Sequence, residues 1–142
     1  MVPSGTRLTL QVEGNSLPQL FENAARQVLK AFIEPQDVGE VRREKIVIEA
    51  SDSSLLLQEW INSLLSMARE QHILFKAYRF QTFDVERVGA GKLRAEVTGE
   101  LVDPLRHHFR NDLARWRCAQ VQLLNTSKSI EAKVILEFDG AD

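Results

Sequence analysis

The chain is expected to fold in the α+β class, as two helices packed on a largely antiparallel β-sheet system. Three features predict this. Two segments, one opened by Ser16 and running to Phe32, the other from Ser54 to about Gln71, repeat apolar residues at three-and-four spacing. Six other segments are rich in strand formers, and most alternate apolar and polar residues with period two. Most connections are of hairpin length, so the strands should pair with antiparallel neighbours.

Leu8, Leu10 and Val12 alternate with Arg7, Thr9, Gln11 and Glu13, a half-buried strand ending at Gly14-Asn15. Ser16 then caps the first helix, and Gln19 three residues on completes a capping-box pattern. Pro18 is tolerated because the first turn offers its missing N–H no acceptor. Leu17, Leu20, Phe21, Ala24, Ala25, Val28, Leu29 and Phe32 make the buried face, and Pro35 opens a loop to about Gly39. From Val41 to Ala50 a strand with one wet face sets Ile46, Ile48 and Ala50 against Arg43, Lys45, Val47 and Glu49.

The second helix organises the rest. Ser51, Asp52 and Ser53 offer cap side chains, and Asp52 suits the positive end of the helix dipole. Leu57, Trp60, Ile61, Leu64, Leu65 and Ala68 form one stripe, with Gln58, Glu59, Asn62, Ser63 and Ser66 opposite. Each fully buried Leu or Ile contributes about 1.5–3 kcal/mol, so the stripe, with Trp60 as anchor, suffices for a small core. Ile73 to Val88 reads as a strand whose phase shifts near Gln81-Thr82, the mark of a bulge. Gly89 to Lys92 turns the chain back into Leu93, Ala95 and Val97. Gly99 to Asp112 reads as a polar loop, and Leu113–Leu124 and Ile130–Phe138 as two last strands joined by the turn 125–129.

With 142 residues and a net charge of -2, the chain fits one domain spanning residues 1–142 and argues against a surface that tracks nucleic acid throughout. One cysteine, Cys118, excludes an internal disulfide and fits a reducing compartment. No apolar stretch approaches a membrane span, so a soluble cytoplasmic protein with no membrane partner is expected. P-loop, G-x-S-x-G, H-E-x-x-H and C-x-x-C signatures are absent. No nucleophile, base and orienter can be assembled, and no enzyme is expected.

The polar connection holds the densest set of functional groups: Glu100, Asp103, Arg106, His107, His108, Arg110 and Asp112. A metal or acid–base site could draw on His107 or His108 with Asp103 or Asp112; the alternative is a solvated loop tied by local hydrogen bonds. Adjacent histidines on extended backbone point to opposite sides, so one of the two at most serves a single site. Arg106, Arg110, Arg115 and Arg117 form the densest basic run, able to meet RNA or an acidic partner, or simply to make a wet strand face. Cys118 beside Arg117 is read as a structural thiol rather than a nucleophile.

The order of these parts resembles the archease family. The first helix matches its "G-x-S-x-x-x-L-F-x-x-A-A" from Gly14 to Ala25, and Leu56 to Leu65 its "L-L-x-x-W-L-N-x-L-L". Phe83-Asp84-Val85, Leu93-Arg94-Ala95 and Gly99-Glu100 fall on "F-x-V", "L-x-A" and "G-E", and Asp103 and His107 match its loop. The resemblance implies a small cytoplasmic accessory protein that assists an RtcB-type RNA ligase in tRNA splicing or RNA repair, meeting RNA only indirectly. The family's "D-H-T-A-D" falls on Pro3 to Arg7, so Arg7 stands where its metal-binding Asp would. Glu137 stands for the C-terminal metal-binding Asp, and Leu113 to Ala119 replaces "V-K-A-V-T-Y-H". No metal and no cofactor are therefore expected, with Arg7 meeting Glu137 directly in place of the ion. If Glu137 works with Asp139 or Asp142 instead, an ion site is rebuilt. The expected functional surface comprises Arg7, Glu137, Asp103, His107, Asp112, Arg115 and Arg117. The competing expectation is a divergent binding module that kept the fold and serves another protein.

Overall fold

The computed structural model describes residues 3–85, 90–110, 115–126 and 128–139. Six strands and two helices follow one another: β1 (Arg7–Gly14), α1 (Leu17–Phe32), β2 (Arg42–Ala50), α2 (Ser53–Gln71), β3 (Ile73–Val85), β4 (Gly91–Leu101), β5 (Trp116–Asn125) and β6 (Ile130–Phe138). They make two antiparallel three-stranded sheets, ordered β1-β6-β5 and β2-β4-β3. Both helices bridge the sheets: α1 packs on β1, β6 and β3, and α2 on β5 as well as on β2, β3 and β4. The α+β expectation holds.

The helix signals work as their chemistry requires. Ser16 Oγ accepts from the Gln19 N–H, and Gln19 Oε1 reaches back to the Asn15 N–H at 2.6 Å. Asp52 caps α2 by accepting from Leu55 N–H at 2.8 Å. His72 ends α2 with φ 56°, the left-handed cap usually given to glycine. The stripe faces inward: Leu57, Trp60 and Ile61 are fully buried, and Trp60 Nε1 donates to the Phe21 carbonyl at 3.0 Å. That bond satisfies the one polar atom of the anchor and ties the helices together.

Five details differ from the sequence reading. Gly91 and Lys92, read as turn, already belong to β4, while Gly89 lies outside the described residues. A short 3-10 turn, Pro35–Asp37, interrupts the loop after α1. The bulge near Gln81 is present, but β3 has a second register shift between Phe75 and Ala77. Gly99, Glu100 and Leu101 are not loop: β4 runs on to Leu101. There a Cβ on Gly99 would lie 1.7 Å from the Leu74 carbonyl oxygen, so only glycine fits. Finally, Gln58 and Asn62 of α2 do not lie idle on its polar side. Asn62 Oδ1 accepts from Cys118 N–H at 2.8 Å while its Nδ2 donates to the Cys118 carbonyl at 3.1 Å. Gln58 Nε2 reaches the same carbonyl and that of Ala119, where β5 shifts register between Cys118 and Gln120. The amides thus hold a bulge whose own ladder bonds are broken.

Candidate functional site

Two polar clusters gather the expected residues. The first lies across the outer face of β1-β6-β5. Register places Arg7 opposite Glu137 and Glu137 opposite Arg117, so all three share a row and a face. Arg7 Nε sits 3.2 Å from Glu137 Oε2, and Arg117 Nη2 3.1 Å from Oε1. The Arg7–Glu137 contact is the one expected. Arg117 adds a second guanidinium, so both carboxylate oxygens accept and the row carries one excess positive charge. Arg7 and Arg117 are more than half exposed, which holds each pair to about 0–1 kcal/mol of stability.

This donor set does not fit a divalent cation. One carboxylate, already engaged at both oxygens and flanked by two permanent cations, repels an incoming ion. No group of three or more His, Cys, Asp or Glu able to hold a metal occurs among the described residues. Asp142 lies outside them, as does Asp112.

The second cluster overturns the picture of a solvated loop. His107 and Glu100 are buried, while His108 points outward, so the two histidines diverge as expected. The Asp103 N–H donates to His107 Nδ1 at 2.8 Å. With Nδ1 accepting, the ring proton sits on Nε2, which faces Glu100 Oε1 at 2.7 Å. Neither ring nitrogen is left for a metal or for proton transfer. Asp103 itself organises the turn: its carbonyl accepts from Arg106 and His107 N–H, and Oδ1 from Leu105 N–H.

Glu100 is the hub, and the sequence reading left it out of the functional surface. Its Oε1 also accepts from Gly39 N–H at 2.7 Å, and Oε2 lies 2.5 Å from Arg106 Nη2. Arg106 first, then the Gly39 amide, draw its pKa down to about 2 against the opposing effect of burial. A Cβ on Gly39 would come within 3.0 Å of Oε2, so the glycine clears room for the carboxylate. The available signal was the "G-E" pair itself.

The basic run is divided. Arg106 serves Glu100 and the Asp37 carbonyl at 3.2 Å. Arg110 pairs with Glu34 and donates to the Lys30 carbonyl from its side chain and to the Phe32 carbonyl from its backbone, capping the end of α1 from outside. Arg117 goes to Glu137, and the exposed Arg115 accepts the Asp139 N–H at its carbonyl. Cys118 is buried and its thiol pushed up to about 12 by desolvation, a structural role.

Comparison with known proteins places these observations in a family. Residues 8–137 match the model of the Archease protein family (MTH1598/TM1083). The chain belongs to the archease family. It is 29% identical over 126 residues to protein archease of Methanosarcina acetivorans, covering 88% of this chain and 85% of that one. Over a shorter span of 88 residues it is 31% identical to protein archease of Archaeoglobus fulgidus, 61% of this chain and 64% of that. The solution structure of Methanobacterium thermoautotrophicum protein 1598 superposes with a TM-score of 0.71, covering 97% of this chain and 95% of that chain at 21% identity, and shows the fold. No helix among the described residues is long and apolar enough to cross a membrane.

Proposed function

We propose that this archease-family chain, acting as one domain over residues 1–142 in the cytoplasm, assists an RtcB-type RNA ligase in tRNA splicing or RNA repair. It touches RNA only through that partner and uses no cofactor. The family match over residues 8–137 carries this reading. The Arg7–Glu137–Arg117 row, with the neighbouring Arg115, is the working surface on the first sheet, while Asp103 and His107 hold the loop beside Glu100 in shape. The same row favours a second reading, a binding module that kept the fold and left ligation, because its charge pattern admits no ion. Capture of the host's RNA ligase by the purified chain, followed by ligation of a cleaved tRNA, tests both. Binding with faster turnover is the expected result. Binding without acceleration leaves the second reading, and a chain that neither binds nor accelerates the ligase rejects the proposal.

A further inference from the structure

The outer face of β2-β4-β3 concentrates charge that the whole-chain balance conceals. Register aligns Arg43 with Thr98 and Ala77, then Lys45 with Glu96 and Arg79, then Val47 with Arg94 and Thr82. A last row sets Glu49, Lys92 and Asp84 together. Among the described residues the face holds five cations against three carboxylates, in a chain whose net charge is -2. In its first three rows Glu96 is the one anion among four cations. Lys92 pairs with Glu49 at 3.3 Å, but Arg43, Lys45, Arg79 and Arg94 form no ion pair or hydrogen bond through their side chains among the described residues. The row Lys45–Glu96–Arg79 repeats the plus–minus–plus order of Arg7–Glu137–Arg117, yet its charges stay apart while those of the other sheet close to 3.1–3.2 Å.

We infer that this face is a docking surface for an acidic patch on a protein partner, and, resting on the reading above, that the partner is the RNA ligase. Cations left without a local partner keep their full field for an incoming surface and steer its approach. A protein fits better than a nucleic acid for two reasons. Glu96 stands amid the cations, and Glu49 and Asp84 close one end, where they would repel a continuous phosphate chain. Val47, 54% exposed beside Lys45 and Arg94, supplies an apolar contact, whereas among the described residues the face offers no exposed aromatic ring on which a base could stack.

The test is binding of the full chain to the immobilised host RNA ligase as salt rises from about 50 to about 300 mM. Arg43→Glu/Lys45→Glu/Arg94→Glu should weaken binding about tenfold or more and remove most of its salt dependence, while Lys133→Glu on the other sheet stays within about twofold. Thermal melts check that the variants fold; should the triple variant melt early, single Arg43→Glu and Arg94→Glu changes should each weaken binding about threefold. Unchanged binding by the charge-reversed variants overturns the inference and leaves the ligase reading intact. Failure of the unaltered chain to bind ligase overturns both. Binding of single-stranded oligouridylate that the triple reversal abolishes, with ligase binding unchanged, reassigns the face to nucleic acid and overturns the protein assignment.

Discussion

At Glu100 a carboxylate is held as an anion by donors from three places: the Gly39 amide, the Arg106 guanidinium and the His107 ring. Its folded-state value near 2 lies below the ordinary 4.5. A depressed acid stabilises the fold fully above its unfolded value and loses that contribution as pH falls toward the folded one. Stability should therefore drop between about pH 4.5 and 2. Glu100→Gln should cost about 1.5–3 kcal/mol at neutral pH, the worth of hydrogen bonds to a charged group, and should flatten that slope. Urea unfolding across the window measures both; parallel pH profiles would place the acid sensitivity elsewhere. A second expectation at this scale concerns Glu137. Calorimetry with manganese or calcium should show no micromolar binding, because Arg7 and Arg117 already occupy both its oxygens. Binding that disappears in Glu137→Ala would mean that a neighbouring acid has rebuilt an ion site.

Among the elements, α2 carries two kinds of work on two faces. Trp60 sits amid Tyr78 and Phe80 with ring centroids 6.0 and 5.2 Å away, and Trp60→Ala should cost about 3–5 kcal/mol. Asn62→Ala strands the Cys118 N–H at the bulge and should cost about 1–3 kcal/mol. Amide exchange separates the two: the first substitution should loosen protection throughout, the second chiefly in β5. Equal loss across all strands in Asn62→Ala would refute the local role. The stripe and its Trp were legible because helical burial has a local period. The roles of Gln58 and Asn62 were not, since their partners lie 56 to 61 positions away and a polar side chain on a helix ordinarily meets water. Likewise Ser16 and Gln19 announced a helix start within four residues, whereas burial of His107 depends on Glu100 across a strand end that read as loop. The contact of Arg7 with Glu137 was reachable only through the family pattern, because 130 positions separate them.

For the molecule as a whole, β1 pairs among the described strands with β6 alone, along its entire length from Arg7–Glu137 to Gly14–Ile130. Among the described residues β1 thus has no hydrogen-bonded strand beside it until β6, more than a hundred positions later, has been made. Closing so long a loop is entropically dear relative to the β3–β4 pairing, whose strands lie close together in sequence. In the interval the edge of β1 stays unpaired and the part of α1 that packs on β6 stays uncovered, a state open to wrong association. Amides of β1 should consequently remain open to exchange in any chain released ahead of Ile130, and gain protection only once residues 130–138 are present. The same adjacency leaves the strand ends stitched together, Gly5 N–H to the Phe138 carbonyl and Phe138 N–H to the Thr6 carbonyl, both at 2.8 Å. A short peptide joining these two strand ends, with a new opening cut elsewhere, would turn this long-range pairing into a local hairpin.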